Sequence, residues 1–163
     1  MLTIKKFPDP ILRDRMPEFD FENPIVDPIQ LESEMIELML KFNGIGLSAN
    51  QAGIRTRMFV MGMPGHAISI FNPIIETAEN FTEEDEGCLS FPGIYAKIKR
   101  PTTIKAKWQN NIGEWEHAEF DGLTARCFLH EYDHLEGIVY QDRLSPLKWA
   151  LAVKKSHKQQ GKR

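Results

Sequence analysis

Apolar and polar positions fall along the chain in three rhythms. Between residues 27 and 43, Leu31, Met35, Leu38, Met39 and Phe42 recur at i, i+4, i+7, i+8 and i+11, one stripe of an amphipathic α-helix. Asp27 can cap that helix, Pro28 fits its first turn, Gln30 stands three residues after the cap, and Asn43-Gly44 ends it. A second rhythm occupies the middle of the chain. Residues 57–61 and 67–75 read as strands punctuated by Pro64-Gly65, and strand-like alternation resumes from Ile94 to Trp108, broken at Pro101. Ile104, Ala106 and Trp108 alternate with Lys105 and Lys107, so one face of that strand is wet. Asn110-Asn111-Ile112-Gly113 turns the chain into a further strand at 114–120.

The third rhythm is apolar on every side. From about Asp121 to Glu136 the chain carries Leu123, Ala125, Cys127, Phe128, Leu129, Tyr132 and Leu135, and Gly137 stops it. A helix with that distribution is buried. Ser145-Pro146 then opens a last helix whose amphipathic start, Leu147, Ala150, Leu151 and Val153, is expected to dock on the body of the protein. Strands in the middle, one helix before them and two after, predict an α+β fold. Its antiparallel sheets surround a buried central helix, with an N-terminal and a C-terminal helix outside. A chain of 163 residues suits one domain over 1–163.

Charge changes the picture at one end. From Arg143 onward there are seven Lys or Arg and no Asp or Glu, so the net charge of −3 becomes −10 over residues 1–142. A solvated helix end explains this basic tail; contact with an anionic surface such as RNA is the sharper reading. No apolar run approaches the ~20 residues that span a bilayer. The opening Met1–Lys6, interrupted at once by Phe7-Pro8-Asp9-Pro10, is too short and too interrupted to read as a secretory or transit segment, and none is expected. A cytoplasmic protein without membrane contact is the expectation. The two cysteines, Cys88 and Cys127, do not require a disulfide in such a chain.

Chemistry concentrates in His130-Glu131-Tyr132-Asp133-His134. Histidines at i and i+4 lie one turn apart on one helix face, where both rings reach one metal ion. Two imidazoles inside an apolar helix are costly unless something satisfies them, and a metal does. Glu131, about 100° round the helix, is placed to take a proton from water rather than to share the ion. A third ligand must come from Cys127, Cys88 or a carboxylate. Cys127 shares the helix face but sits a turn away from the ion that His130 and His134 would bridge. Cys88, in Glu86-Gly87-Cys88-Leu89-Ser90, can approach from another element and is favoured, leaving Cys127 as a packed thiol. In Gly44-Ile45-Gly46-Leu47-Ser48-Ala49-Asn50-Gln51 the glycines permit close backbone approach, and Gln51 could donate to an oxygen gaining negative charge. A helix end followed by a tight turn accounts for that stretch equally well.

Taken together, GIGLSANQ (44–51), EGCLS (86–90) and HEYDH (130–134) resemble, in this order, the three signature motifs of the peptide deformylases. Flanking stretches extend the resemblance over nearly the whole chain; one departure is Leu129, where the family often has Gln. The resemblance implies removal of the formyl group from N-formylmethionyl peptides. It implies one divalent metal, Fe(II) by family habit and replaceable by Zn, Ni or Co, on Cys88, His130 and His134. Glu131 would be general base and then acid, and the Leu89 N–H and the Gln51 side chain would stabilise the oxyanion. The substrate's methionine would enter a pocket lined by Leu123, Cys127 and Ile45, with its backbone between Gly46 and Gly87 as an added strand. Glu86 and Arg100 are expected to form a salt bridge behind the site, since a carboxylate beside Cys88 would otherwise repel its thiolate. A monomer is expected, with the basic tail a candidate ribosome contact. The rivals are a metallopeptidase, against which the Cys-containing motif speaks, and a silent metal-binding domain, which would need neither Glu131 nor Gln51.

Overall fold

The computed structural model describes residues 2–162. Its first regular helix, α1 (Pro28–Lys41), begins as the sequence dictates: the Asp27 carboxylate accepts from the N–H groups of Ile29 and Gln30. Leu31, Met35, Leu38 and Met39 are buried, whereas Phe42 is half out in solvent just past the end of the helix. Five strands follow: β1 (Gly46–Ser48), β2 (Met58–Met61), β3 (Ile68–Cys88), β4 (Phe91–Gln109) and β5 (Trp115–Asp121). They form one antiparallel sheet in the order of the chain, β1-β2-β3-β4-β5. Two helices complete the fold, α2 (Gly122–Leu135) and α3 (Pro146–Gln160).

The short strand β2 sits between two layers. Phe59 and Met61 join the core around α2, with Phe128, Ile98 and Ile104, while Met58 and Val60 join Met35, Met39 and Leu47 beneath α1. That is why Met58-Phe59-Val60-Met61 is apolar without alternation: both faces are covered. Phe128 of α2 meets Phe59 edge-on at 5.1 Å and Phe120 of β5 at 5.4 Å.

The long hairpin of β3 and β4 departs from the sequence expectation. β3 does not stop at residue 75 but runs to Cys88, through a polar stretch exposed on both faces. On one side its backbone is satisfied by β4, paired from Ile74↔Lys107 to Cys88↔Phe91. β4 is likewise not broken at Pro101. β5 begins its pairing at Thr103, so at Pro101 the strand has a neighbour on one side only, and a missing N–H is tolerated there. Beyond Phe71, β3 pairs with no strand on its other side among the described residues. Close to the hairpin turn the register is irregular. Pairing jumps from Glu86↔Ala96 to Cys88↔Phe91, so residues 92–95 of β4 bulge opposite Gly87.

In α3 the Ser145 hydroxyl caps the Lys148 N–H, as the sequence implied, but a different face docks. Trp149, Ala152 and Ser156 turn inward, with Trp149 packed edge-on against Phe91 and Tyr140. Leu147 and Leu151, expected to dock, are 70% and 56% exposed, and Ala150 is exposed too. The indole is the larger apolar group, and the stripe it starts, i, i+3, i+7, takes the interior. Of the basic tail, Lys154, Lys155, Lys158 and Lys162 are exposed; Arg163 lies outside the described residues.

Candidate active site

Sheet and helix meet where the hairpin turns. Cys88 ends β3, Leu89 and Ser90 make a two-residue turn, and the Cys88 thiol is thereby held against α2. Ligand atoms of Cys88, His130 and His134 lie within 4.8 Å of one another. The Cys88 Sγ is 3.4 Å from His134 Nε2, which is 3.2 Å from His130 Nε2. Three donors of this kind fit a divalent ion: a soft thiolate with two imidazoles, and a coordination position left open. Cys127 stays out of the cluster. Burial pushes its thiol up, keeping it protonated, and it donates to the Ile45 carbonyl at 3.3 Å.

Behind the cluster lies a buried chain of charge. His130 Nδ1 meets Glu86 Oε1 at 2.5 Å, which fixes the ring with Nε2 turned toward the other ligand atoms. Arg100 grips Glu86 with Nε at 2.8 Å and Nη2 at 2.6 Å, and reaches Asp133 with Nη1 at 2.8 Å. Arg126 adds a bond to Glu86 at 3.1 Å, and Arg143 binds both oxygens of Asp133. Burial alone would push the Glu86 carboxyl up; Arg100 and His130 overcome it and hold the group well below the usual carboxylate range. The Glu86–Arg100 pair is therefore in place, as part of a larger network. Arg126 and Asp133 went unnoticed in the sequence, although an arginine four residues before His130 in an otherwise apolar helix is itself a signal.

Glu131 is 4% exposed and its Oε2 has no hydrogen-bond partner. Burial pushes its carboxyl up to about 7, the nearby His130 opposing. Gly46 makes room for it: a Cβ there would come within 2.5 Å of Glu131 Oε1 and 2.7 Å of Cys127 Sγ. On the other flank Gln51 stands in a one-turn helix, Asn50–Ala52. Its Oε1 accepts from the Ser48 N–H and hydroxyl, both at 3.0 Å, so its amide nitrogen is turned outward. That nitrogen lies 3.1 Å from Ser90 Oγ and 3.4 Å from Cys88 Sγ. Asn50 ties the same turn to α2, donating to the His134 carbonyl at 2.7 Å.

A cavity of about 480 Å³ opens onto these groups. Ile45, Gly46, Gly87, Leu89 and Cys127 line it together with Gln51, Cys88, His130 and Glu131. Leu123 does not. It is 64% exposed in the first turn of α2 and stands outside the cavity, because the helix emerges from the core before reaching it. Tyr95, unremarked in the sequence, does line the cavity, brought over Gly87 by the bulge in β4.

A buried His-Glu-x-x-His helix, a cysteine held against it from a sheet and a glutamate with a free buried oxygen beside them are the arrangement of a single-ion metallohydrolase. The family is narrower. Residues 1–150 match the sequence model of the polypeptide deformylases. The chain is 43% identical over 157 residues to a peptide deformylase of Thermotoga sp. (strain RQ2), covering 95% of this chain and 94% of that one. Its fold superposes on the crystal structure of Thermotoga maritima peptide deformylase with a TM-score of 0.81, at 41% identity, covering 90% of this chain and 99% of the other. Against the Legionella pneumophila enzyme the TM-score is 0.88 at 32% identity, over 98% and 95% of the two chains. The chain belongs to the peptide deformylase family, hydrolases that act on N-formyl peptides. No helix among the described residues is long and apolar enough to cross a membrane.

The charge chain makes a direct prediction. Arg100→Ala removes the arginine that joins two buried carboxylates, leaving Glu86 to Arg126 and His130 and Asp133 to Arg143, and should destabilise the fold by about 3 kcal/mol. With Glu86 less firmly placed behind His130, metal affinity should fall about 10–100-fold. Denaturant titration and chelator competition measure the two effects; a variant as stable as the parent would show that the network does not carry this load.

Proposed function

We propose that the chain removes formyl groups from the N-terminal methionine of nascent peptides by a division of labour among the residues around the cluster. The unpartnered, buried Oε2 of Glu131 beside the Cys88, His130 and His134 cluster carries this reading: no hydrogen bond of the fold uses that oxygen. Cys88, His130 and His134 would hold the ion. Fe(II) is the proposed occupant, with Zn, Ni or Co as replacements, a choice the single thiolate supports. When bound, the ion would supply Lewis acidity and make hydroxide available near neutral pH.

The protein's own groups do the rest. Glu131 takes a proton from the attacking water at its carboxylate and returns it to the leaving amine. The Gln51 amide, its oxygen anchored on Ser48, donates to the oxyanion of the tetrahedral intermediate, and the Leu89 N–H at the hairpin turn is its proposed companion. Gly46 and Gly87 admit the peptide backbone between them as an added strand. Ile45 and Cys127 form the apolar wall for the methionine side chain. A formyl carbon bears only hydrogen, so a closely walled site admits it and excludes larger acyl groups. Glu86 and Arg100 are positioning residues, acting through His130. A cytoplasmic monomer is the form in which we propose it works.

Glu131→Gln should keep its metal and lose turnover on a formyl-Met tripeptide by about a hundredfold or more, since an amide cannot take the proton. Formate release from metal-loaded protein reads this, and near-normal rates would remove Glu131 from the mechanism. Cys88→Ser should lose most of its metal, while Cys127→Ser keeps it and changes only packing or substrate affinity. Metal analysis of both variants decides, and the reverse result would exchange the two cysteines.

The exposed lysines of α3 form a basic end that supports contact with ribosomal RNA near the point where nascent chains emerge. Deleting residues 154–163 should leave turnover on the tripeptide unchanged and lower co-sedimentation with ribosomes at low salt, because phosphate contacts weaken steeply with salt. Equal sedimentation of both proteins would leave the tail without that role.

A further inference from the structure

A second, smaller cavity of about 260 Å³ adjoins the catalytic one, and the two share Asp85, Gly93 and Tyr95 as walls. Its far side is α3: Lys155 and Gln159 stand at its rim, and the buried Ser156 forms its floor against Gly93. The two spaces are joined because β4 bulges at residues 92–95, lifting Tyr95 to within reach of Gly87 and bringing Gly93 under α3.

The direction of the backbone says what this second space receives. With the formyl group at Cys88, a peptide extended through the first cavity past Gly87 moves away from the cluster toward the shared walls Asp85, Gly93 and Tyr95. Asp85 is the wall at which the first cavity becomes the second. Resting on the deformylase reading of the site, we infer that the groove between the β4 bulge and α3 binds the substrate residues downstream of the first three, and that Lys155 and Asp85 give it a charge preference there. The occupant is thus the same nascent chain whose end is being processed. Lys155 is exposed and carries no ion pair among the described residues, so it is free to meet an acidic substrate side chain. Asp85, touched only loosely by Lys97 at 3.8 Å, is available to a basic one.

The test uses full-length, metal-loaded protein at low ionic strength, where exposed charges are least screened. Three substrates are compared: a formyl-Met tripeptide and two formyl-Met octapeptides that carry either Glu or Lys at positions four to six. Lys155→Glu should leave kcat/KM on the tripeptide unchanged. It should raise KM for the acidic octapeptide about threefold or more and lower KM for the basic one, with kcat unchanged in both. Lys155→Gln should fall between the parent and Lys155→Glu. A loosened α3 would instead worsen both octapeptides alike, and that outcome, or identical values for all substrates, overturns the groove. Failure of the parent protein to release formate from the tripeptide would instead sink the functional reading.

Discussion

Glu86 is a carboxylate with almost no access to water, and much of the molecule is arranged so that it can remain charged there. Isolated, such an anion would cost several kcal/mol and would take up a proton instead. Two arginines and a histidine prevent this, drawn from two elements: Arg100 from β4, Arg126 and His130 from α2. Arg100 then needs Asp133, and Asp133 takes Arg143 from the segment before α3. One buried charge thereby registers the hairpin against α2 and α2 against the chain that follows it. The imidazole that meets Glu86 is the same one that stands in the cluster with Cys88 and His134, so the rotamer of a proposed ligand is set by the constraint that sets the packing.

How much of this could be read from residues alone varied with the kind of order involved. Local order was legible. The Asp27 cap, the α1 stripe as far as Met39 and the Gly137 stop depend on neighbours three or four residues apart, and the structure shows them where the sequence put them. Order that depends on a distant partner was not. Residues 76–88 have no alternation to reveal a strand, because both faces are wet and only pairing with β4 keeps them extended. The three residues of β1 were hidden in a stretch that looked equally like a helix end. In α3 the apolar positions were read as one docking stripe, but the choice between Leu147 and Trp149 belongs to the surface beneath the helix.

The site divides in the same way. Cys88, His130 and His134 could be brought together from motif spacing and the reach of a helix face, and the three lie together. Leu123 shares that face by periodicity yet stands in solvent, since a face says nothing about where the core ends. Arg126, Asp133 and Tyr95 were missed because their importance lies in what they touch across the fold. Tyr95 in particular reaches the cavity only through the irregular pairing opposite Gly87.

The strandless side of β3 has a consequence for life at high concentration. An extended strand with unused N–H and C=O groups is a template on which another copy of the same chain can pair, and so a start for aggregation. Here residues 76–85 carry Glu76, Glu79, Glu83, Glu84 and Asp85. Two copies aligned along that edge would bring like charges into register and repel. A peptide arriving at the end of the strand, by Gly87, meets far less of this repulsion. The same backbone is thus sticky toward a passing substrate at its tip and colloidally inert along its length.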